Sequence, residues 1–176
     1  MVGDSRKRGH RRSIIIVGFM AAGKTTIGRL LAARLGLPFV DTDQLIETAF
    51  GCSIAEIFAT YGEGEFRAAE RGLIKCLLGD GEPRVLSLGG GAYADDEMRH
   101  AINAKGTTVW LDPPFELIVE RLARSSDRPL ARGRPASELE RLWKERLKAY
   151  AEAHFHIETP DTDPSKTVGQ ILEALQ

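Results

Sequence analysis

Residues 18–25 read Gly18-Phe19-Met20-Ala21-Ala22-Gly23-Lys24-Thr25, a complete G-x-x-x-x-G-K-[ST] phosphate-binding loop. That spacing does one physical job. Its glycines let the backbone wrap closely, so that successive N–H groups point inward at a phosphate chain. Lys24 adds a mobile positive charge for the β- and γ-phosphates, and Thr25 offers a hydroxyl to Mg2+. The helix that should follow turns its positive dipole end toward the same anion.

Four further groups of residues could take part in phosphoryl transfer, which needs positioning and charge neutralisation more than covalent chemistry. Asp41 and Asp43 stand two apart at the end of an apolar run. If strand geometry persists that far, their side chains leave on one side of the pleat. One carboxylate could then orient water on Mg2+ and the other could accept a hydrogen bond from an acceptor hydroxyl. The alternative is a capping role ahead of a helix over Leu45–Phe50, for which one of the two suffices. Arg67 and Arg146 carry guanidinium forks suited to carboxylates or phosphates. Either could equally be a surface charge, and Glu70 at i+3 could pair with Arg67 as an ordinary helix ion pair. Gly89-Gly90-Gly91 after an apolar run permits backbone to lie against a ligand, or is a plain glycine turn.

The elements that must position these residues alternate along the chain. Apolar strand-like runs cover Ser13–Val17, Pro38–Val40, Val85–Leu88, Thr107–Leu111 and His154–Ile157. Helical patterns separate them. After the phosphate loop, Ile27, Leu30, Leu31 and Leu35 fall at helical spacing, and Gly36 follows as a C-cap. Pro113 and Pro114 suit the first turn of a helix beginning at Phe115 and Glu116. Such an alternation implies a parallel sheet covered on both faces, with right-handed crossovers. Ligands then bind outside the carboxyl ends of the strands, which is where the loop, the aspartates and the glycines fall. Residues 53–78 are helical in pattern but broken by Gly62 and Gly64, and read as part of an inserted substrate-binding segment at about 42–78. Residues 124–136 form a polar, arginine-rich stretch that reads as a lid, with a solvated loop as the alternative.

The 176 residues fit one α/β domain, and a hydrophobic fraction of 43% allows a substantial core. The formal charge of -1 gives no global basic field for nucleic acid. Residues 1–12 form a basic tail, expected to be disordered, without the apolar core of a signal peptide. No apolar run approaches the ~18 residues of a membrane span. The two cysteines, Cys52 and Cys76, lack metal or redox spacing and read as reduced thiols of a cytoplasmic protein. His100, His154 and His156 are too scattered to suggest a metal site.

Taken in order, these motifs resemble those of shikimate kinases over nearly the whole chain, from about Ser13 to Leu175. The matching residues are the phosphate loop, Asp41-Thr42-Asp43, Gly62-Glu63 with Phe66-Arg67 and Glu70, Gly89-Gly90-Gly91, Arg128-Pro129-Leu130, and Arg146 with Tyr150. The resemblance implies a nucleoside-monophosphate-kinase-like fold, with a five-stranded parallel sheet in the order 2-3-1-4-5, a helical substrate-binding segment and a lid. A monomer that binds no nucleic acid or membrane is expected. The resemblance further implies an ATP- and Mg2+-dependent transfer to the 3-hydroxyl of shikimate, toward chorismate and the aromatic amino acids. Asp43 would bind the reacting hydroxyl region and could serve as general base. Arg67 and Arg146 would hold the shikimate carboxylate, with Gly89, Gly90 and Gly91 lining the ring. Lys24 and the lid residue Arg128 would act on the transferring phosphate. ATP would lie on Ala21, Ala22, Gly23, Lys24, Thr25 and Thr26, with Arg121 stacked on adenine and Pro164 nearby. Thr25 would ligate Mg2+ directly and Asp41 through water.

Three positions depart from the family pattern: Ala21 where glycine is usual, Ala131 in the lid, and Thr162 near the adenine. Alanine at position 21 is expected to require a negative φ. Two rival readings remain at this level. A kinase for gluconate or a nucleoside monophosphate would share the loop without needing Arg67 and Arg146 as a pair. A catalytically silent nucleotide-binding module would not need Lys24, Asp43 and Arg128 together.

Overall fold

The computed structural model describes residues 12–124, 135–160 and 163–176. The expected tail, most of the lid with Arg128 and Ala131, and Thr162 lie outside the described residues.

Five short β-branched or apolar runs become strands: β1 Ile14–Val17, β2 Phe39–Asp41, β3 Val85–Ser87, β4 Thr107–Asp112 and β5 Phe155–Glu158. All neighbouring pairs are parallel, in the order β2-β3-β1-β4-β5. Ile14 of the central strand faces Val85 on one side and Thr107 on the other. The helices are α1 Lys24–Leu35, α2 Thr42–Phe50, α3 Ile54–Gly79, α4 Asp96–Lys105, α5 Phe115–Arg124, α6 Ala136–Tyr150 and α7 Pro164–Ala174, with a 3-10 turn at Ala92–Ala94.

Strand residues alternate between two cores, as the pleat requires. Ile15, Val17, Leu86 and Trp110 pack with Ile74, Met98, Ile118 and Tyr150 on one face. Ile14, Ile16, Val85, Val109 and Leu111 pack with Ile27, Leu31, Val168 and Ile171 on the other. β1 is buried along its whole length, as expected of a central parallel strand covered on both faces. A third, separate cluster joins Ile46 of α2 to Ile57 and Phe66 of α3. The α2–α3 segment therefore has its own small core beside the sheet.

Local signals explain most boundaries. Gly36 caps α1 in the left-handed region, its N–H bonded to the Ala32 carbonyl. Ser53 and Glu56 form a reciprocal capping box at the start of α3. Gly62, at φ 84 and ψ 164, breaks α3 internally, whereas Gly64 has no such conformation. Pro113 and Pro114 precede α5 rather than occupying its first turn, and the Pro114 carbonyl accepts from Leu117 and Ile118.

Two expectations fail. α2 starts at Thr42, three residues before Leu45, because Asp41 caps it. Asp43 thus stands in the first helical turn, and the two carboxylates do not share a strand pleat. Ala21 has φ 59, not a negative value. The tight loop imposes the left-handed conformation that glycine adopts freely, at a cost of about 1–2 kcal/mol for an L-residue. Ala21→Gly is therefore expected to leave stability unchanged or raise it by about 1 kcal/mol, read by urea denaturation. A clear loss would show that the loop tolerates alanine without strain.

Candidate active site

Because every strand is parallel, every strand exit lies at one end of the sheet. β1 runs into the phosphate loop, β2 into Asp41-Thr42-Asp43, and β3 into Gly89-Gly90-Gly91. Lys24, the first residue of α1, is buried, and its Nζ donates to the Gly18 and Phe19 carbonyls at 3.0 and 2.9 Å. Its ammonium is thereby held within its own loop. Arg121 reaches over from α5 and donates to the Ala21 carbonyl at 3.1 Å. Burial pulls its guanidinium below the ordinary value. The side chain lies along the rim of the phosphate loop.

Asp41 accepts from three donors with its two oxygens. Oδ1 accepts from the N–H groups of Asp43 and Gln44 at 3.1 and 3.4 Å, capping α2. Oδ2 accepts from the Thr25 hydroxyl at 2.7 Å. The capping alternative is realised, and the same carboxylate also holds the Thr25 hydroxyl of the phosphate loop. Thr25 and Asp41 together present adjacent oxygen donors, the kind of set a hard divalent cation prefers. Among the described residues no group of three or more His, Cys, Asp or Glu is placed to hold a metal ion. A cation here would take its remaining ligands from phosphate and water, as Mg2+ in phosphoryl-transfer sites usually does.

Thr42, which sequence reasoning passed over, secures the next strand exit. It is fully buried, accepts from the Gly89 N–H at 3.2 Å and donates to the Ser87 carbonyl at 3.2 Å. Its only sequence signal was a position between two functional aspartates.

The glycine turn then admits charged side chains from three helices. A Cβ added at Gly89 would lie 2.5 Å from Asp43 Oδ1 and 2.7 Å from Glu70 Oε1. One at Gly91 would lie 2.6 Å from both terminal nitrogens of Arg67. One at Gly90 would lie 3.2 Å from an Arg146 nitrogen and 3.4 Å from the Gly18 carbonyl. Asp43, Arg67, Arg146 and the phosphate loop therefore meet around three residues without side chains.

Glu70 is more than a surface ion-pair partner. It is 2% exposed, and its Oε2 accepts from Arg67 at 2.7 Å. Burial pushes its carboxyl up, Arg67 opposes that, and the nearby Asp43 charge adds to it. Glu63 takes two more hydrogen bonds from Arg67, at 3.3 and 3.2 Å. Burial works against the Arg67 charge, but Glu70 and Glu63 outweigh it and hold the guanidinium above its ordinary pKa. A guanidinium has five N–H donors. These three bonds leave two for another acceptor.

Arg146, from α6, stands over the Phe19 ring at 5.6 Å. Tyr150, one turn later, is buried and donates to the Gly90 carbonyl at 2.7 Å. Of the remaining candidates, Ala22 and Gly23 complete the phosphate loop and Thr26 lies on the exposed side of α1. Pro164 opens α7, capped by Asp163. Among the described residues no helix is long and apolar enough to cross a membrane.

The shikimate kinase family profile matches residues 20–176. A shikimate kinase of Caulobacter vibrioides (strain NA1000 / CB15N) is 48% identical over 166 residues, covering 94% of this chain and 82% of that protein. One from Paramagnetospirillum magneticum is 47% identical over 165 residues, covering 93% and 84%. Among solved structures, shikimate kinase from Acinetobacter baumannii in complex with shikimate superposes with a TM-score of 0.88 at 37% identity, covering 95% of this chain and 94% of the other. With the phosphate loop, the sheet order and the glycine-centred cluster in place, these matches settle the lineage: the chain belongs to the shikimate kinase family.

Proposed function

We propose that this chain transfers the γ-phosphoryl group of ATP to the 3-hydroxyl of shikimate, giving ADP and shikimate 3-phosphate on the route to chorismate. The observation that carries this reading is the meeting of Asp43, Arg67 and Arg146 around Gly89–Gly91, within reach of the phosphate loop. An acceptor bearing both a carboxylate and a hydroxyl matches that set of groups. Its carboxylate would take the two open N–H groups of Arg67 together with the Arg146 guanidinium. An uncharged analogue would leave those donors unpaired, which is a strong basis for discrimination.

Placement and the family resemblance together support one role for each residue. Asp43 would accept the hydrogen bond of the reacting hydroxyl and remove its proton. Lys24 would leave the loop carbonyls for the β- and γ-phosphates, while the loop N–H groups hold the chain in line with the acceptor. Arg121 would cover the nucleotide base, beside Pro164. Thr25 and Asp41 would hold Mg2+, which would neutralise charge on the phosphates when bound. From the resemblance, Arg128 and the lid at 124–136 would close on the transferring group and exclude water. We read residues 42–78 as the substrate-binding segment, and the enzyme as a cytoplasmic monomer.

Steady-state ADP release with Mg·ATP tests the assignment. Shikimate is expected to stimulate turnover strongly, with gluconate and a nucleoside monophosphate near background. Equal or greater stimulation by either of these would move the function to another acceptor.

Asp43→Asn is expected to retain ATP affinity and lose about 100-fold or more in kcat, the range for removing a positioned general base. Turnover equal to that of the parent would remove Asp43 from the mechanism.

Gly91→Ala probes the arginine. Gly91 has φ -93 and ψ -23, which alanine adopts without strain. The three atoms nearest the added methyl all belong to the Arg67 guanidinium, at 2.6–2.9 Å, so that group must move. The shikimate KM is expected to rise about tenfold, as for loss of one charge-assisted hydrogen bond, with the ATP KM unchanged. A uniform rise in both would contradict the carboxylate role.

A further inference from the structure

Tyr150 is the last residue of α6, one helical turn after Arg146. It is 1% exposed, an unusual setting for a hydroxyl unless that hydroxyl has work inside the protein. The hydroxyl donates to the Gly90 carbonyl at 2.7 Å, on the loop after β3. The Arg146 guanidinium is close enough for its charge to act on the same hydroxyl. Gly90 and Arg146 are themselves neighbours, since a Cβ at Gly90 would lie 3.2 Å from an Arg146 nitrogen. The ring is fixed from both sides, with Tyr93 stacked at 6.4 Å and Trp110 tilted at 6.0 Å.

We propose that the Tyr150 hydroxyl is a positioning group for the acceptor site: it locks Arg146 to the Gly90 carbonyl and so sets where the acceptor carboxylate rests against the glycine floor. The proposal rests on the reading of Arg146 as a carboxylate-binding residue. Without that hydroxyl, the long Arg146 side chain keeps the Phe19 ring at 5.6 Å and the attraction of the Glu70 charge. The half-buried Gly90 carbonyl also loses the Tyr150 donor, so floor and arginine are freed together. Burial supports the arrangement by pushing the phenol up to about 12, against the opposing charge of Arg146. The hydroxyl therefore keeps its proton, and the bond to Gly90, across the working range of pH.

Tyr150→Phe keeps the ring and its packing and removes one oxygen, so the fold should survive. With thermal unfolding used to confirm a folded variant, the shikimate KM is expected to rise about five- to tenfold, the effect of freeing one charged contact. The ATP KM should stay within about twofold, and kcat should change less than the shikimate KM does. The decisive measurement is a double-mutant cycle with Arg146→Ala. If Tyr150 acts through Arg146, adding Tyr150→Phe to Arg146→Ala should raise the shikimate KM by less than about twofold more. A tyrosine serving only as structural support would raise both KM values, and its effect would persist in full in the double variant; either result overturns the proposal. So does a shikimate KM unchanged in Tyr150→Phe alongside a raised one in Arg146→Ala, which leaves the carboxylate reading standing. An unchanged shikimate KM in Arg146→Ala itself takes down that reading, and the proposal with it.

Discussion

Three successive positions without a Cβ govern the arrangement of the site. Gly89, Gly90 and Gly91 follow the central region of the sheet, where β3 lies between β1 and β2. Against them stand a carboxylate from α2, a carboxylate and a guanidinium from α3, and a guanidinium from α6. The distances to an added Cβ, 2.5 to 3.2 Å, are all shorter than ordinary van der Waals contact. Any side chain at these positions would push a charged group out of place. The constraint is therefore steric, but its consequence is electrostatic: like and unlike charges from separate helices come within a few ångströms of one backbone turn.

Such a cluster must also be electrically tolerable. Asp43 and Glu70 supply two negative charges, and Arg67 and Arg146 two positive ones. The burial of Glu70 makes sense only in that company. Removing one partner of a buried ion pair costs about 3–5 kcal/mol, although the intact pair adds little net stability. The Glu70–Arg67 pair is thus better understood as an orienting device than as a source of stability. Glu63, far more exposed, completes the hold on Arg67 from the solvent side. Together the two carboxylates take one donor from each of the three guanidinium nitrogens and leave two. An arginine held in this way presents its remaining donors without first losing rotamer freedom.

Much of this was legible in the residue pattern, and the reasons differ by element. The five strands appear as β-branched runs because a parallel strand buried on both faces has no polar side to blur it. The phosphate loop is legible because its glycines and Lys24 answer to local geometry. Helix α2 was misjudged at its start because Asp41 was weighed as either a cap or a site residue, and it is both. The φ of Ala21 was misjudged because the loop's closure overrides the preference of an L-residue, a tertiary effect invisible in composition. Thr42 and the depth of Glu70 were missed for a related reason. A threonine and a glutamate carry no periodic signature of burial, and only the packing of α2 and α3 against the β3 exit reveals what they touch. Arg67 and Arg146, 79 residues apart in number, could be paired only through the family resemblance, since nothing local links α3 to α6.

The two aspartates show how tightly such a site depends on ordinary secondary-structure physics. The Asp41 oxygen that caps α2 accepts from the backbone N–H of Asp43 itself. The cap therefore does not merely start a helix; it sets the height at which the Asp43 side chain leaves it, directly above Gly89. The other oxygen of Asp41 reaches Thr25 and so ties the start of α2 to the start of α1. One carboxylate thus fixes the acceptor-side carboxylate relative to the phosphate loop. The two-residue spacing follows from this geometry and not from a strand pleat. With one residue fewer, the second aspartate would take the place of Thr42, whose buried hydroxyl joins Ser87 to Gly89. With one more, it would take the place of Gln44, whose N–H reaches the cap oxygen at the longer 3.4 Å. The distance between the phosphate loop and the Asp43 carboxylate is therefore set by a helix cap, a few ångströms of hydrogen bonding between residues 25, 41 and 43.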